Sequence, residues 1–448
     1  MAETKQVVSM DREQYAQWDR ESLWHPYTRH SAQADGLPLI VRGEGVYLYD
    51  TAGRRYLDAV SSWWACALGH GHPRVVEAII RQARELQHSI LGNLSHPRAV
   101  ELAHRVAGLF PGERRVLFAS DGASAVEAAL KIAVQYWHNV GRPARNRFVA
   151  LRCGYHGDTL GAVSAGFLES FHRPFSSVVF PVFQAEAPCC GTCVYGQTPD
   201  TCGPECFGSM ARIFAEHGPE LAAVIVEPLC QCAAGMRIYS PKYLQRLAEL
   251  CKRTGVLLIA DEVATGFGRT GRMMACEHAG ISADIVCLGK ALSGGYLPIS
   301  ATVVARQVFD TFADGPEDHT FYHGHTFAGN PIAAAAAVAA LDAYEAERIV
   351  ERVQGLAPVL AAQLAPLRAA PGVRDVRCLG LIGAVELEDL PAAAANHRAA
   401  RVRQRLLAEG LLIRPLGNVV YLMPPLITPE EVLVDVCRHL RAAVEETA

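Results

Sequence analysis

Residues 256–290 read VLLIADEVATGFGRTGRMMACEHAGISADIVCLGK. An apolar run, Val256 to Ala260, ends in two carboxylates, Asp261 and Glu262. A loop punctuated by Gly266, Gly268 and Gly271 follows, and a second apolar run, Ile285 to Leu288, ends at Gly289-Lys290. Short apolar runs bounded by turn signals fit strands buried on both faces of a parallel sheet. Asp261 then falls near the carboxyl end of one strand and Lys290 just past that of another, where open α/β sheets bind their ligands. An acid and a lysine converging there suit a pyridoxal 5'-phosphate (PLP) enzyme, which needs a Schiff-base lysine and a carboxylate against the pyridinium nitrogen. The same residues also fit an ordinary crossover with a capping Asp and a solvated Lys, so the rest of the chain decides.

The chain has 448 residues, a formal net charge of −4, 50% apolar and 20% charged residues. That length favours two intertwined domains over one small core. No basic run or RNA-binding motif stands out, so no nucleic-acid partner is expected. The N-terminus, MAETKQVVSMDREQYAQWD, has neither the apolar core of a signal peptide nor an Arg-rich transit pattern. The Ala-rich segment Ile332 to Leu341 is too short to span a bilayer. A soluble, cytoplasmic protein without a membrane partner is the expectation. Most of the 14 cysteines, such as Cys66, Cys230, Cys251, Cys287 and Cys437, sit singly in apolar runs and behave as small hydrophobes. Cys189, Cys190, Cys193, Cys202 and Cys206 cluster instead in a Pro/Gly-rich insertion. They could supply four thiolates to zinc, but their spacing is irregular and no metal is expected.

Along the chain, SLWHPYTRH (22–30) suggests an extended arm carrying Tyr27, and alternating residues from Leu39 to Asp58 suggest a small antiparallel sheet. The loop SSWWACALGHGHP follows, with Trp63 and Trp64 as core filler or as walls of an apolar pocket. Helical periodicity begins at Pro73 and again at Pro97. A strand at Val116 to Ala119 leads into SDGASAVEAALKIAVQYW, a turn and helix start that suits a phosphate, or else a plain capping box of Ser124 and Glu127. Strand Arg147 to Leu151 ends near Tyr155 and His156, and strand Ala222 to Val226 ends at Glu227. Tyr155, Glu227, Asp261 and Lys290 thus all fall at strand carboxyl ends. The helix–strand rhythm from about 75 to 305 indicates an α/β fold with a largely parallel, helix-covered sheet. Beyond residue 350 the pattern changes to a smaller α/β unit containing Arg414 and Tyr421.

DEVATGFGRTG, LGKALSGG, GYHGDT and HGHTFAGNP together resemble the class III aminotransferases, PLP enzymes of fold type I, over about residues 20 to 445. WHPYT (24–28), SSWWA (61–65), ACEHA (275–279) and RPLGNVVYLMPP (414–425) are most similar to the branch that aminates 8-amino-7-oxononanoate in biotin synthesis. The resemblance implies a large domain over 76–328, and a smaller one built from 1–75 with the N-terminal arm and from 329–448. It implies Lys290, Asp261 and Tyr27 as catalytic residues. Gly122, Ala123, Tyr155, Glu227, Asp261, Lys290 and Thr326 would hold the cofactor, Thr326 acting across a homodimer. Tyr27, Trp63, Trp64, Tyr155, Gly324, Arg414 and Tyr421 would shape the substrate pocket. Apolar tryptophans suit the carbon chain of an amino-oxo acid, and an arginine suits its carboxylate. Two departures stand out: Ala123 can offer the phosphate only its backbone, and His325 occupies a position where many adenosylmethionine-using members have Pro. The double tryptophan and Tyr421 favour S-adenosylmethionine as amino donor. Lysine as donor, or a broad ω-aminotransferase acting on diamines and ω-amino acids, remain the alternatives.

Overall fold

The computed structural model describes residues 12–29, 37–197, 201–313, 318–388 and 395–447. At its centre lies a seven-stranded sheet built from β4 (Arg114–Ala119), β5 (Arg147–Leu151), β6 (Phe183–Ala185), β7 (Leu221–Val226), β10 (Leu257–Asp261), β11 (Ile285–Leu288) and β12 (Ser300–Ala305). Their spatial order is β4-β12-β11-β10-β7-β5-β6, and only β12 runs antiparallel to its neighbours. Strands β7, β10 and β11 are buried along their whole length. That is why they read as unbroken apolar runs rather than alternating ones.

Register, more than the strands themselves, positions the chemistry. Val226 pairs with Ala260, and Asp261 with Cys287. Glu227, Asp261 and Lys290 therefore emerge along one edge, joined by Tyr155 from beyond β5. Helices lock the strands in place. Pro241–Thr254 begins at Ser240, whose hydroxyl accepts from Lys242 N, and stops at Gly255 in the left-handed region (φ 72°). Pro331–Ala346 is alanine-rich because it packs closely on helix Pro73–Glu85 and on Pro97–Ala107.

The smaller unit joins both ends of the chain. Strands β1 (Ile40–Glu44), β2 (Tyr47–Asp50) and β3 (Arg55–Asp58) form an antiparallel meander, to which the C-terminal β15 (Leu411–Leu412) adds in parallel. Strands β13 (Val373–Leu379), β14 (Ile382–Leu387) and β16 (Val419–Leu422) make a second antiparallel sheet, the short β8 (Cys230–Gln231) and β9 (Arg237–Ile238) pair with each other, and helix Glu430–Glu446 closes the chain.

Three local expectations change. The arm is not extended throughout: it follows a helix, Arg12–Ser22, and turns at Tyr27 (φ 52°), and its last residue lies outside the described ones. Ser124 and Glu127 do not form a capping box. Asp121 caps helix Gly122–Asn139 by accepting from Ser124 N (2.9 Å) and Ser124 Oγ (3.0 Å), and Glu127 accepts from Gly161 N instead. The tryptophan loop is one turn of left-handed helix. Ser61, Ser62, Trp63 and Trp64 have φ of 48°, 44°, 71° and 71°, with Trp64 N bonded to Val60 O and Ala65 N to Ser61 O. For L-residues that hand costs roughly 1–2 kcal/mol each. Periodicity carries no handedness, so the sequence could not announce it.

Candidate active site

At the carboxyl edge of the sheet lies a cavity of about 490 Å³ lined by Gly122, Ala123, Tyr155, Glu227, Asp261 and Lys290, with Trp64, Asp158 and Thr159 at its margins. A larger one, about 770 Å³, shares Trp64, Tyr155, Asp158 and Lys290 with it. The larger cavity also takes in Tyr27, Trp63, Ile413, Arg414 and Leu416.

Lys290 opens a 3₁₀ turn just after β11, itself at positive φ (43°). Burial drives its pKa down, against the carboxylates of Asp261, Glu227 and Asp158 and the Cys232 thiol, which pull it up. Lowering favours the neutral amine, the form that attacks a carbonyl. Asp261 is buried, with Oδ1 accepting from Val263 N (3.1 Å) and Oδ2 lying 2.7 Å from Nδ1 of the equally buried His156. In the sequence His156 stands only as a neighbour of Tyr155 past a strand end. Its signal was the GYHGDT motif, but which partner the ring meets depends on a strand 105 residues away.

Glu227 accepts from Tyr155 N through Oε1 and from Cys232 N through Oε2, both at 3.0 Å. Burial pushes its pKa up to about 7; His156 opposes this and Asp261 adds to it. A carboxyl raised from 4.5 to about 7 is held more tightly as the acid in the folded state, so its stabilising contribution is complete below pH 4.5 and is lost as pH rises through 7. Glu227→Gln keeps the shape without titrating. In cofactor-free protein, chemical unfolding of variant and wild type should therefore diverge in the variant's favour between pH 4.5 and pH 7 and level off above. A pH-independent difference would rule this out.

The start of helix Gly122–Asn139 faces the smaller cavity. Asp121 is engaged with Ser124, while the N–H groups of Gly122 and Ala123, in the first turn, have no intrahelical acceptor. Such N–H groups, with the helix dipole, could hold a phosphate. The cradle is tight: a Cβ at Gly122 would come within 2.8 Å of Val263 Cγ1, and one at Gly157 (φ +124°) within 2.3 Å of Ala123 Cβ. Thr159 Oγ1 is buried there with no hydrogen-bond partner among the described residues. A lysine with a lowered pKa, a carboxylate fixed from behind, an aromatic wall and a helix start free for an anion together fit PLP.

Tyr27 donates its hydroxyl to Asp158 Oδ1 and packs edge-on against Trp63 (5.6 Å) and Phe171 (5.4 Å). Burial and that hydrogen bond push its pKa up to about 12, so at neutral pH it is a donor and not a base. Tyr155 stacks on His172 (6.1 Å between ring centres). The Arg414 guanidinium lies over Trp63 at 4.1 Å and donates to Tyr27 O at 3.3 Å. Lys290 Nζ lies 5.2 Å from the Trp64 ring centre. Tyr421 lines neither cavity. It is buried behind Trp64 and accepts from the indole N–H at 3.1 Å, so it acts on the pocket through that ring. Gly324 and Thr326 also line neither cavity of their own chain; both are exposed in the 323–329 segment.

Cys189, Cys190, Cys193, Cys202 and Cys206 surround a separate small recess as free thiols. Burial pushes Cys190 and Cys206 up to about 11. Among the described residues no group of three or more His, Cys, Asp or Glu side chains could hold a metal ion. Among the described residues, too, no helix is long and apolar enough to cross a membrane.

A family model for aminotransferase class-III matches residues 30–444. An adenosylmethionine-8-amino-7-oxononanoate aminotransferase from Geobacter sulfurreducens is 42% identical, over 95% of this chain and 96% of its own length. The crystal structure of the enzyme of that name from Methanocaldococcus jannaschii superposes with a TM-score of 0.91 at 36% identity, covering 97% of this chain and 99% of that one. A thermostable omega transaminase mutant from Pseudomonas jessenii superposes with a TM-score of 0.91 at 30% identity, covering 97% and 98%. By sequence and by fold the chain belongs to the class-III aminotransferases, and it is a PLP-dependent aminotransferase of fold type I.

Proposed function

We propose that the protein aminates 8-amino-7-oxononanoate to 7,8-diaminononanoate in biotin synthesis, with S-adenosylmethionine as amino donor. The observation that carries this is Arg414. Burial lowers its pKa from the ordinary arginine value, it faces the cavity that contains Lys290, and among the described residues it has no carboxylate partner. Such a guanidinium, walled by Trp63, Trp64, Ile413 and Leu416, suits an acid with a long apolar chain. Asp158, whose pKa is lowered chiefly by the neighbouring His172, 3.9 Å away, supplies negative charge for the ammonium of an amino-oxo acid. The many relatives named for this reaction agree with that pocket.

PLP, when bound, supplies a carbonyl to take up the amino group and a ring that accepts electrons. In our assignment Lys290 would bond the cofactor and move the proton. Asp261, held by His156, would pair with the ring nitrogen, and Tyr155 would wall the ring. Gly122 and Ala123 would hold the phosphate, and Glu227 orders the backbone of Tyr155 and Cys232. Tyr27 orients the substrate through Asp158. We further propose a homodimer in which Thr326, with Gly324 beside it, reaches the neighbouring site. The exposed apolar side chains Trp24, Ile90, Leu94 and Phe327 suit such burial. The domains are proposed to divide near residues 75 and 328, and the protein to work in the cytoplasm, where its free thiols stay reduced.

The equally close superposition of an omega transaminase favours, as second reading, a broad ω-aminotransferase. Lysine as donor is a variant of the first. Separate half-reactions followed by stopped flow distinguish them. S-adenosylmethionine alone should convert the cofactor rapidly, and the aminated enzyme should then discharge onto the oxo-acid. Arg414→Ala should weaken that second step roughly 10- to 100-fold, the worth of a charged hydrogen bond, with cofactor content unchanged. Rapid conversion only by lysine or by diamines would overturn the donor, and parallel loss of cofactor would make Arg414 structural.

A further inference from the structure

Trp63 and Trp64 stand in a conformation that their own backbones disfavour, and its supports are specific. Asp58, the last residue of β3, is buried and lines neither cavity. Its Oδ1 accepts from Ser62 N (2.9 Å) and Val60 N (3.4 Å), and its Oδ2 accepts from Ser62 Oγ (2.7 Å). Nε2 of His70 lies 3.0 Å from the same Oδ2. His70 is itself anchored by a two-way backbone bridge, Gly45 N to His70 O (2.9 Å) and His70 N to Gly45 O (2.7 Å). Burial works to lower the His70 pKa, but the neighbouring Asp58 and Cys66 outweigh it and raise it to about 9. On the other side, Ser61 Oγ donates to Met423 O (2.7 Å) and accepts from the buried Arg269 (3.3 Å). Left-handed residues persist only where surroundings over-determine them, and they gather at ligand sites.

We propose that Asp58, fixed by His70, is a positioning residue for acceptor specificity: it holds residues 61–64 in the left-handed turn and so sets where Trp63 and Trp64 wall the pocket. This rests on the reading that these tryptophans line the acceptor site.

Asp58→Ala removes every contact to the turn, whereas Asp58→Asn keeps an acceptor for Ser62 N and loses the charge facing His70. In the holoenzyme, Asp58→Ala should raise KM for 8-amino-7-oxononanoate about tenfold or more, with kcat and cofactor affinity moving less than about threefold. The near-ultraviolet circular dichroism of its tryptophans should change as well. Adding Ser62→Gly, which enters positive φ without a steric penalty, should recover part of the lost KM and of the spectrum. If Asp58→Ala does not fold, Asp58→Asn carries the same test with a smaller shift in the same direction. An unchanged spectrum and KM would overturn the hold of Asp58 on the turn. A changed spectrum with unmoved KM would sink the proposal through the pocket reading instead. Parallel loss of KM, kcat and cofactor affinity without rescue by glycine would make Asp58 ordinary scaffold.

Discussion

Lys290→Ala should lower transamination by about 10⁴-fold or more, because it removes the side chain we propose both to bond the cofactor and to move the proton. The loss should be of a kind as well as of a size. The visible absorbance of lysine-bound cofactor should vanish while far-ultraviolet circular dichroism and the unfolding midpoint stay close to wild type. Lys290 sits in a short 3₁₀ turn beyond β11, and what holds that turn is backbone bonding, Leu292 N to Gly289 O and Gly294 N to Ala291 O, not the ammonium. Burial that lowers the lysine pKa opposes the charged form, so removing the amine does not forfeit a favourable ion pair. A Lys290→Ala protein that turned over at the wild-type rate would rule out the lysine as the bonding group.

Asp261→Asn should cost roughly 10²–10³-fold in turnover, the scale of one preorganised electrostatic contact in a water-poor site, and should leave the visible absorbance in place. A carboxylate against the ring nitrogen keeps that nitrogen protonated; an amide does not. His156 contributes by keeping Oδ2 occupied at 2.7 Å while Val263 N takes Oδ1, which leaves the carboxylate little freedom to turn. The measurement that separates charge from placement is reconstitution with a cofactor methylated on its ring nitrogen, which carries a fixed positive charge. Recovery of the variant by that analogue supports the assignment. Failure to recover, with normal cofactor content, would mean that Asp261 acts by shape alone.

Much of this is legible in the amino-acid sequence. A strand buried on both faces has to be apolar throughout, so β7, β10 and β11 showed in the sequence almost to the residue, and their carboxyl ends named Glu227, Asp261 and Lys290. Pro at a helix start and Gly255 after a helix end are equally local signals. The antiparallel direction of β12 is not written in the sequence, because a fully buried strand reads alike in either sense.

What remained hidden depends on neighbours distant in the chain. The ring of His156 meets a carboxylate across 105 positions. Trp64 meets Tyr421 across 357 positions, which takes Tyr421 out of the cavity wall and puts it behind that wall. The turn at 61–64 took its hand from Asp58, His70 and Arg269, and Arg269 itself belongs to the stretch 256–290. That stretch by itself determined an acid and a lysine at two strand ends, because burial writes itself into composition. Only the tertiary structure decided that its arginine reaches back to brace the tryptophan turn, because a guanidinium has no partner until strands far apart in sequence are packed against it.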